Sequence, residues 1–139
     1  MKKLLILALI AFSTFNAFSQ NLQKGNLVGL HTVTVKLNAK TTMDQLVDFM
    51  STKWSAAESK FYSCDAKLLK YVRGGTVGAD KLTFLIIYKD AASRNKFYNP
   101  DGTTNEGGKA AEAKMKSITD EFNKLASIVK NEYTDWEVK

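Results

Sequence analysis

Leu82-Thr83-Phe84-Leu85-Ile86-Ile87-Tyr88 is the stretch on which the fold turns. Its apolar residues fall on both alternating faces, the pattern of a strand covered on two sides at the centre of a sheet. Just upstream, Ala66 to Arg73 alternates, with Leu68, Lys70 and Val72 opposite Leu69, Tyr71 and Arg73. The segment from Gly74 to Asp80 between them is rich in turn formers. The two runs therefore predict a hairpin.

Before the hairpin, His31, Val33, Val35 and Leu37 share one face of a run from Val28 to Leu37, with Thr32, Thr34 and Lys36 between them. Period-two alternation rich in β-branched residues predicts a half-buried strand. Thr41-Thr42-Met43-Asp44 then marks a helix start, where a Thr cap and an acid suit the exposed N–H groups. Met43, Leu46, Val47, Met50, Trp54, Ala57 and Phe61 follow at spacings of three and four, which predicts an amphipathic helix from about residue 42 to 61. After the hairpin, Lys89 to Tyr98 predicts a short helical segment, broken by Asn99-Pro100-Asp101-Gly102 and a polar loop to Gly108. A long helix over 109–130 is expected from Ala111, Met115, Ile118, Phe122, Leu125, Ala126 and Val129 on one stripe. Tyr133 to Val138 closes the chain as a strand, with Trp136 and Val138 on one face.

The order β-α-β-β-α-β is that of an α+β, ferredoxin-like domain. Right-handed crossovers place two helices on one face of a four-stranded antiparallel sheet, with the first and third strands central. The other face is left bare although the third strand is apolar on that side too. A second copy of the same sheet is the simplest cover, so a homodimer is expected.

The first twenty residues carry a different signal. Met1-Lys2-Lys3 is a positive start, Leu4 to Phe15 an apolar run, and Ala17-Phe18-Ser19 places small residues before Gln20. That is the order of a secretory leader cleaved after Ser19, leaving residues 20–139 as a single periplasmic or secreted domain with no stable membrane anchor. Removing Lys2 and Lys3 reduces the formal charge from +6 to +4, with 18 Lys/Arg against 14 Asp/Glu. Only Arg73 and Arg94 are arginines, and the lysines are spread along the chain, so a nucleic-acid partner is not expected. Cys64 is the single cysteine, so the domain has no intramolecular disulfide and rests on its core. Its place predicts a small half-buried residue at a helix–strand junction. One His and one distant Cys supply too few ligands for a metal, and no cofactor is expected.

Chemistry-bearing residues are few. His31 is the one histidine and the only candidate catalytic residue. It reads either as a base or ligand lining a pocket between helices and sheet, or as a core histidine satisfied by a neighbouring acceptor. Tyr71, Arg73, Tyr88 and Trp136 are large amphipathic groups on neighbouring strands, suited to line a ligand cleft or to pack a dimer interface. The glycine-rich link lacks phosphate-loop spacing, and the acids of the 101–106 loop do not match a calcium loop.

Two stretches resemble known families. Gly29-Leu30-His31-Thr32-Val33-Thr34-Val35-Lys36-Leu37 resembles the His-bearing first strand of stress-responsive barrel proteins. Leu85-Ile86-Ile87-Tyr88-Lys89-Asp90-Ala91-Ala92-Ser93-Arg94-Asn95-Lys96-Phe97-Tyr98 resembles the strand-then-helix step of antibiotic-biosynthesis-type monooxygenases. Both belong to the dimeric α/β-barrel superfamily, in which two such sheets face each other. Haem-degrading and chlorite-dismutase relatives use a further His that this chain lacks. The expected function is a non-catalytic ligand-binding or interaction module. The alternative implied by the resemblance is a cofactor-free monooxygenase-like or isomerase-like enzyme acting on a small aromatic or polyketide-like molecule.

Overall fold

The computed structural model describes residues 22–69, 71 and 78–139. The leader over residues 1–19, Lys70, Val72, Arg73 and the Gly74–Val77 part of the link lie outside these residues. The elements run β1 (Leu27–Leu37), α1 (Met43–Phe49), a π-helical turn (Met50–Trp54), α2 (Ser55–Tyr62), β2 (Asp65–Leu69), β3 (Lys81–Tyr88), α3 (Ala91–Arg94), α4 (Glu106–Leu125) and β4 (Ala126–Glu137). The sheet is antiparallel with order β2-β3-β1-β4, so the first and third strands are central as expected. This is the ferredoxin-like α+β arrangement.

Side-chain alternation divides the sheet into two faces. Val33 lies opposite Leu82 and His31 opposite Phe84, which in turn faces Leu68 of β2. These residues point toward the helices, where Val33, Val35, Leu82 and Phe84 pack with Leu46, Phe49, Met50 and Phe122. Phe84, Leu46 and Met50 are the largest fully buried side chains. The opposite face carries Thr32 and Thr83, joined through their hydroxyls at 2.9 Å, with half-buried Val28 and Leu85 beside them. Leu30, Leu69 and Trp136 on that face are 36, 40 and 61% exposed. Among the described residues, no helix covers this apolar surface.

The first helical stretch departs from the expected regular helix. Its start is a reciprocal box: the Thr42 hydroxyl accepts the Gln45 N–H at 3.2 Å, and the Gln45 side chain accepts the Thr42 N–H at 2.9 Å. The partner is thus Gln45, while Asp44 stands in the first turn near the positive helix end. The π turn then lets both the Ser55 N–H and the Ser55 hydroxyl donate to the Met50 carbonyl, the hydroxyl at 2.8 Å. One extra residue per turn rotates the following helix by roughly 100° relative to a continuous α-helix. Ser55 and Tyr62 become the buried positions, and Ala57 and Phe61 are only half-buried.

The second departure is the end of the long helix. It stops at Leu125, not near residue 130, and Ala126 is already extended. Ala126 and Val129 therefore lie in β4, which has 12 residues where a six-residue strand was expected. The long β1 offers a partner for eleven of them, from Leu37↔Ala126 to Leu27↔Glu137. A register shift between Thr34 and Val35 leaves Val129 as a bulge, so 125, 126 and 129 imitate helical spacing without forming a helix. Asn38 holds the helix end: its N–H donates to the Leu125 carbonyl and its side-chain amide to the Asn123 carbonyl, both at 2.9 Å. Two carbonyls left free by the helix terminus are thereby satisfied.

Candidate functional site

The rotation introduced by the π turn sets up the site. Trp54, Glu58 and Tyr62 follow at spacings of four and fall on one helical face. They meet residues from five other elements in two adjoining cavities between helices and sheet. The smaller, about 130 Å³, is lined by His31, Tyr88, Arg94, Tyr98, Tyr133 and Asp135 among others. The larger, about 510 Å³, lies between α2 and α4 and is lined by Trp54, Glu58, Tyr62, Tyr98, Glu112 and Met115 among others. His31 and Tyr98 line both, so the cavities form one half-open cleft.

Each wall has a local cause. The α3 start is capped by Asp90, whose carboxylate accepts the Ser93 N–H at 2.7 Å. This fixes Arg94, whose guanidinium donates to the Asn99 carbonyl at 2.8 Å, pairs with Asp135 at 3.2 Å and lies 5.0 Å from the Tyr98 ring centroid. The α3–α4 loop is held against α4 at Gly107 and Gly108. A Cβ at Gly108 would come within 2.2 Å of the Phe97 carbonyl oxygen, so only glycine permits this approach. Tyr98 is thereby placed over Tyr62, with rings stacked 5.9 Å apart, while Phe97 meets Tyr62 at 5.3 Å. On the sheet side, the His31 Nε2 hydrogen-bonds the Asn131 side-chain oxygen across β1 and β4.

The cleft is electrostatically uneven. Glu58 accepts the Trp54 indole N–H at 3.0 Å, but desolvation dominates and raises its carboxyl from the ordinary 4.5 to about 7. Burial, with Glu112 nearby, pushes the Tyr62 phenol up to about 12. Burial also raises Tyr88 and Tyr98 far above the usual phenol range, so both stay protonated donors. Cys64 sits between α2 and β2, half-buried as its position predicted. Burial and the neighbouring Glu58 raise its thiol strongly, which makes it a poor nucleophile.

The residues singled out from sequence part company here. His31 and Tyr88 meet in the cleft. Tyr71 is 46% exposed and lines a separate depression with Met43, Val47 and Leu69. Trp136 stands on the bare sheet face, its indole N–H donating to Thr134 at 3.0 Å. Arg73 lies outside the described residues. The cleft is completed instead by Arg94, Tyr98 and Glu58, none of them a sequence candidate. Trp54–Glu58–Tyr62 and Arg94–Tyr98 have i,i+4 spacing that puts polar groups beside aromatic ones, but that spacing does not say which way they turn. Asn131 was hidden by its proximity to the misassigned helix end.

No family model matches the sequence, and no curated protein sequence matches it. Solved structures share its fold. A NIPSNAP family protein from Agrobacterium tumefaciens strain C58 is 12% identical with a TM-score of 0.50, covering 80% of this chain and 90% of its own. An uncharacterized NIPSNAP domain protein from Burkholderia xenovorans is 11% identical with a TM-score of 0.51, covering 81% of this chain and 94% of its own. At such identities the likeness is one of fold. It agrees with the ferredoxin-like expectation, whereas the monooxygenase resemblance still rests on the residues quoted from sequence alone.

Proposed function

We propose that this chain is an exported, homodimeric domain that binds a small aromatic molecule in the helix–sheet cleft and acts as a ligand-binding module. The observation that carries the reading is the convergence of His31, Tyr88, Arg94 and Tyr98 on one half-open cavity system. Aromatic walls with a few polar handles are the usual make-up of small-molecule sites. Titration with small aromatic molecules, followed through the Trp54 indole N–H, tests it: that signal is expected to move on binding.

The bare sheet face supports the dimer. Leu30, Leu69 and Trp136 are exposed there beside half-buried Val28 and Leu85, on a sheet with helices on its other side. A second sheet would remove this surface from water. Light scattering of the exported protein is expected to give twice the mass of residues 20–139. Leu69→Lys with Trp136→Lys should give a folded monomer. A monomeric wild type at micromolar concentration would reject the dimer.

Glu58 favours a second reading, an isomerase-like enzyme. A carboxyl poised at about 7 beside protonated phenols is suited to exchange protons with a bound molecule at neutral pH.

A further inference from the structure

The larger cavity has a chemical bias that the aromatic reading leaves unused. Its walls present three aromatic side chains, Trp54, Tyr62 and Tyr98, with the thioether of Met115. Its acids are Glu58 and Glu112. The Glu58 carboxyl accepts from the Trp54 indole, and Glu112 accepts from the Thr104 hydroxyl at 3.1 Å. Among the described residues neither acid makes an ion pair. The one cationic side chain in the lining, Lys116, pairs with Asp120 at 2.7 Å. The cavity thus holds two carboxyl groups and three ring faces, with its cation engaged elsewhere.

Resting on the ligand-binding reading, we infer that the groove between α2 and α4 takes a small organic cation, an ammonium bearing methyl or methylene groups. Such a cation is weakly hydrated and is attracted to ring faces by their quadrupole. The carboxylates supply the opposite charge, and apolar methyls suit the Trp54 and Met115 walls. A volume of about 510 Å³ lies within the range usual for small-molecule sites. A hydrated inorganic ion would gain little from rings, whereas an anion would face both acids.

The cation also couples to protonation. Glu58 is surrounded by Trp54 and Tyr62 of its own helical stretch, Cys64, Tyr88 from β3, Tyr98 from the loop before α4 and Glu112 from α4, with His31 and Lys116 also lining the cavity. An incoming cation favours the ionised carboxyl, so binding releases a proton at pH 6 and tightens as pH rises.

Calorimetric titration of the mature protein with choline and with its neutral carbon analogue 3,3-dimethyl-1-butanol tests this. Choline carries a fixed charge, so any pH dependence belongs to the protein. Choline is expected to bind at least tenfold more tightly than the analogue, and several-fold more tightly at pH 8 than at pH 6. Glu58→Gln keeps an oxygen for the Trp54 N–H; it should weaken choline at least tenfold and remove the pH dependence. Equal binding of the two probes would overturn the cation inference while leaving the cavity as a ligand site. Binding of neither would overturn it as well, and the aromatic titration then decides the wider reading separately. A pH dependence that survives in Glu58→Gln would overturn the role given to Glu58.

Discussion

Phe84→Ala is expected to cost about 3–5 kcal/mol, a large share of the 5–15 kcal/mol typical of a domain. Phe84 is 2% exposed and sits on a central strand between His31 of β1 and Leu68 of β2. Its ring belongs to the cluster formed by Leu46, Phe49, Met50 and Phe122 under the helices. Truncation removes transfer energy and leaves a cavity that two paired strands cannot close. Val129→Ala is the control, since Val129 is 61% exposed at the bulge and should change stability by no more than about 0.5 kcal/mol. Urea denaturation of both variants reads the difference. Comparable losses would mean that the core is not where the packing puts it.

Glu58 should make the ligand-free protein less stable as pH rises from about 4.5 to about 7. Its folded value is about 7 against an ordinary 4.5, so between these limits the folded state binds the proton more tightly. Below pH 4.5 both states are protonated; above pH 7 the folded state must ionise a desolvated acid. The stabilisation from a neutral Glu58 is therefore lost between about pH 4.5 and about 7, with a total of about 3 kcal/mol. Asp90, Asp101 and Glu132 have lowered values and act in the opposite sense, losing their contribution as pH falls. Glu58→Gln removes only the first effect. Thermal unfolding from pH 4.5 to 8 should show wild type falling relative to the variant, and parallel curves would contradict the desolvated carboxyl.

Much of the fold was legible because it depends on short-range periodicity. The doubly apolar run at Leu82–Tyr88 named the central strand, and alternation in β1 put His31 and Val33 on the helix side. The errors arose where tertiary pairing overrides local spacing. Leu125, Ala126 and Val129 fit a helical stripe, yet the unpaired edge of β1 draws residues from Ala126 onward into the sheet. The π turn was equally silent in sequence, since one added residue preserves composition while changing which side of α2 faces inward. That is why the stripe through Ala57 and Phe61 was visible and the Trp54–Glu58–Tyr62 face was not. Of the residues lining the cleft, His31 and Tyr88 were sequence candidates because each lies on a well-patterned strand. Arg94 and Tyr98 depend on how a loop folds back over the sheet, and no periodicity encodes that.

The claim that the helix–sheet cleft is a ligand site can be tested with two reporters already in the chain. Its two tryptophans are Trp54, in the cleft, and Trp136, on the bare sheet face. Each indole N–H gives its own resonance in a proton–nitrogen correlation spectrum. Titrating the mature protein with a panel of small aromatic molecules should shift the Trp54 signal, which donates to Glu58, and leave Trp136 in place. Saturable movement of Trp136 alone, or movement of neither signal across the panel, would contradict a ligand site in the cleft.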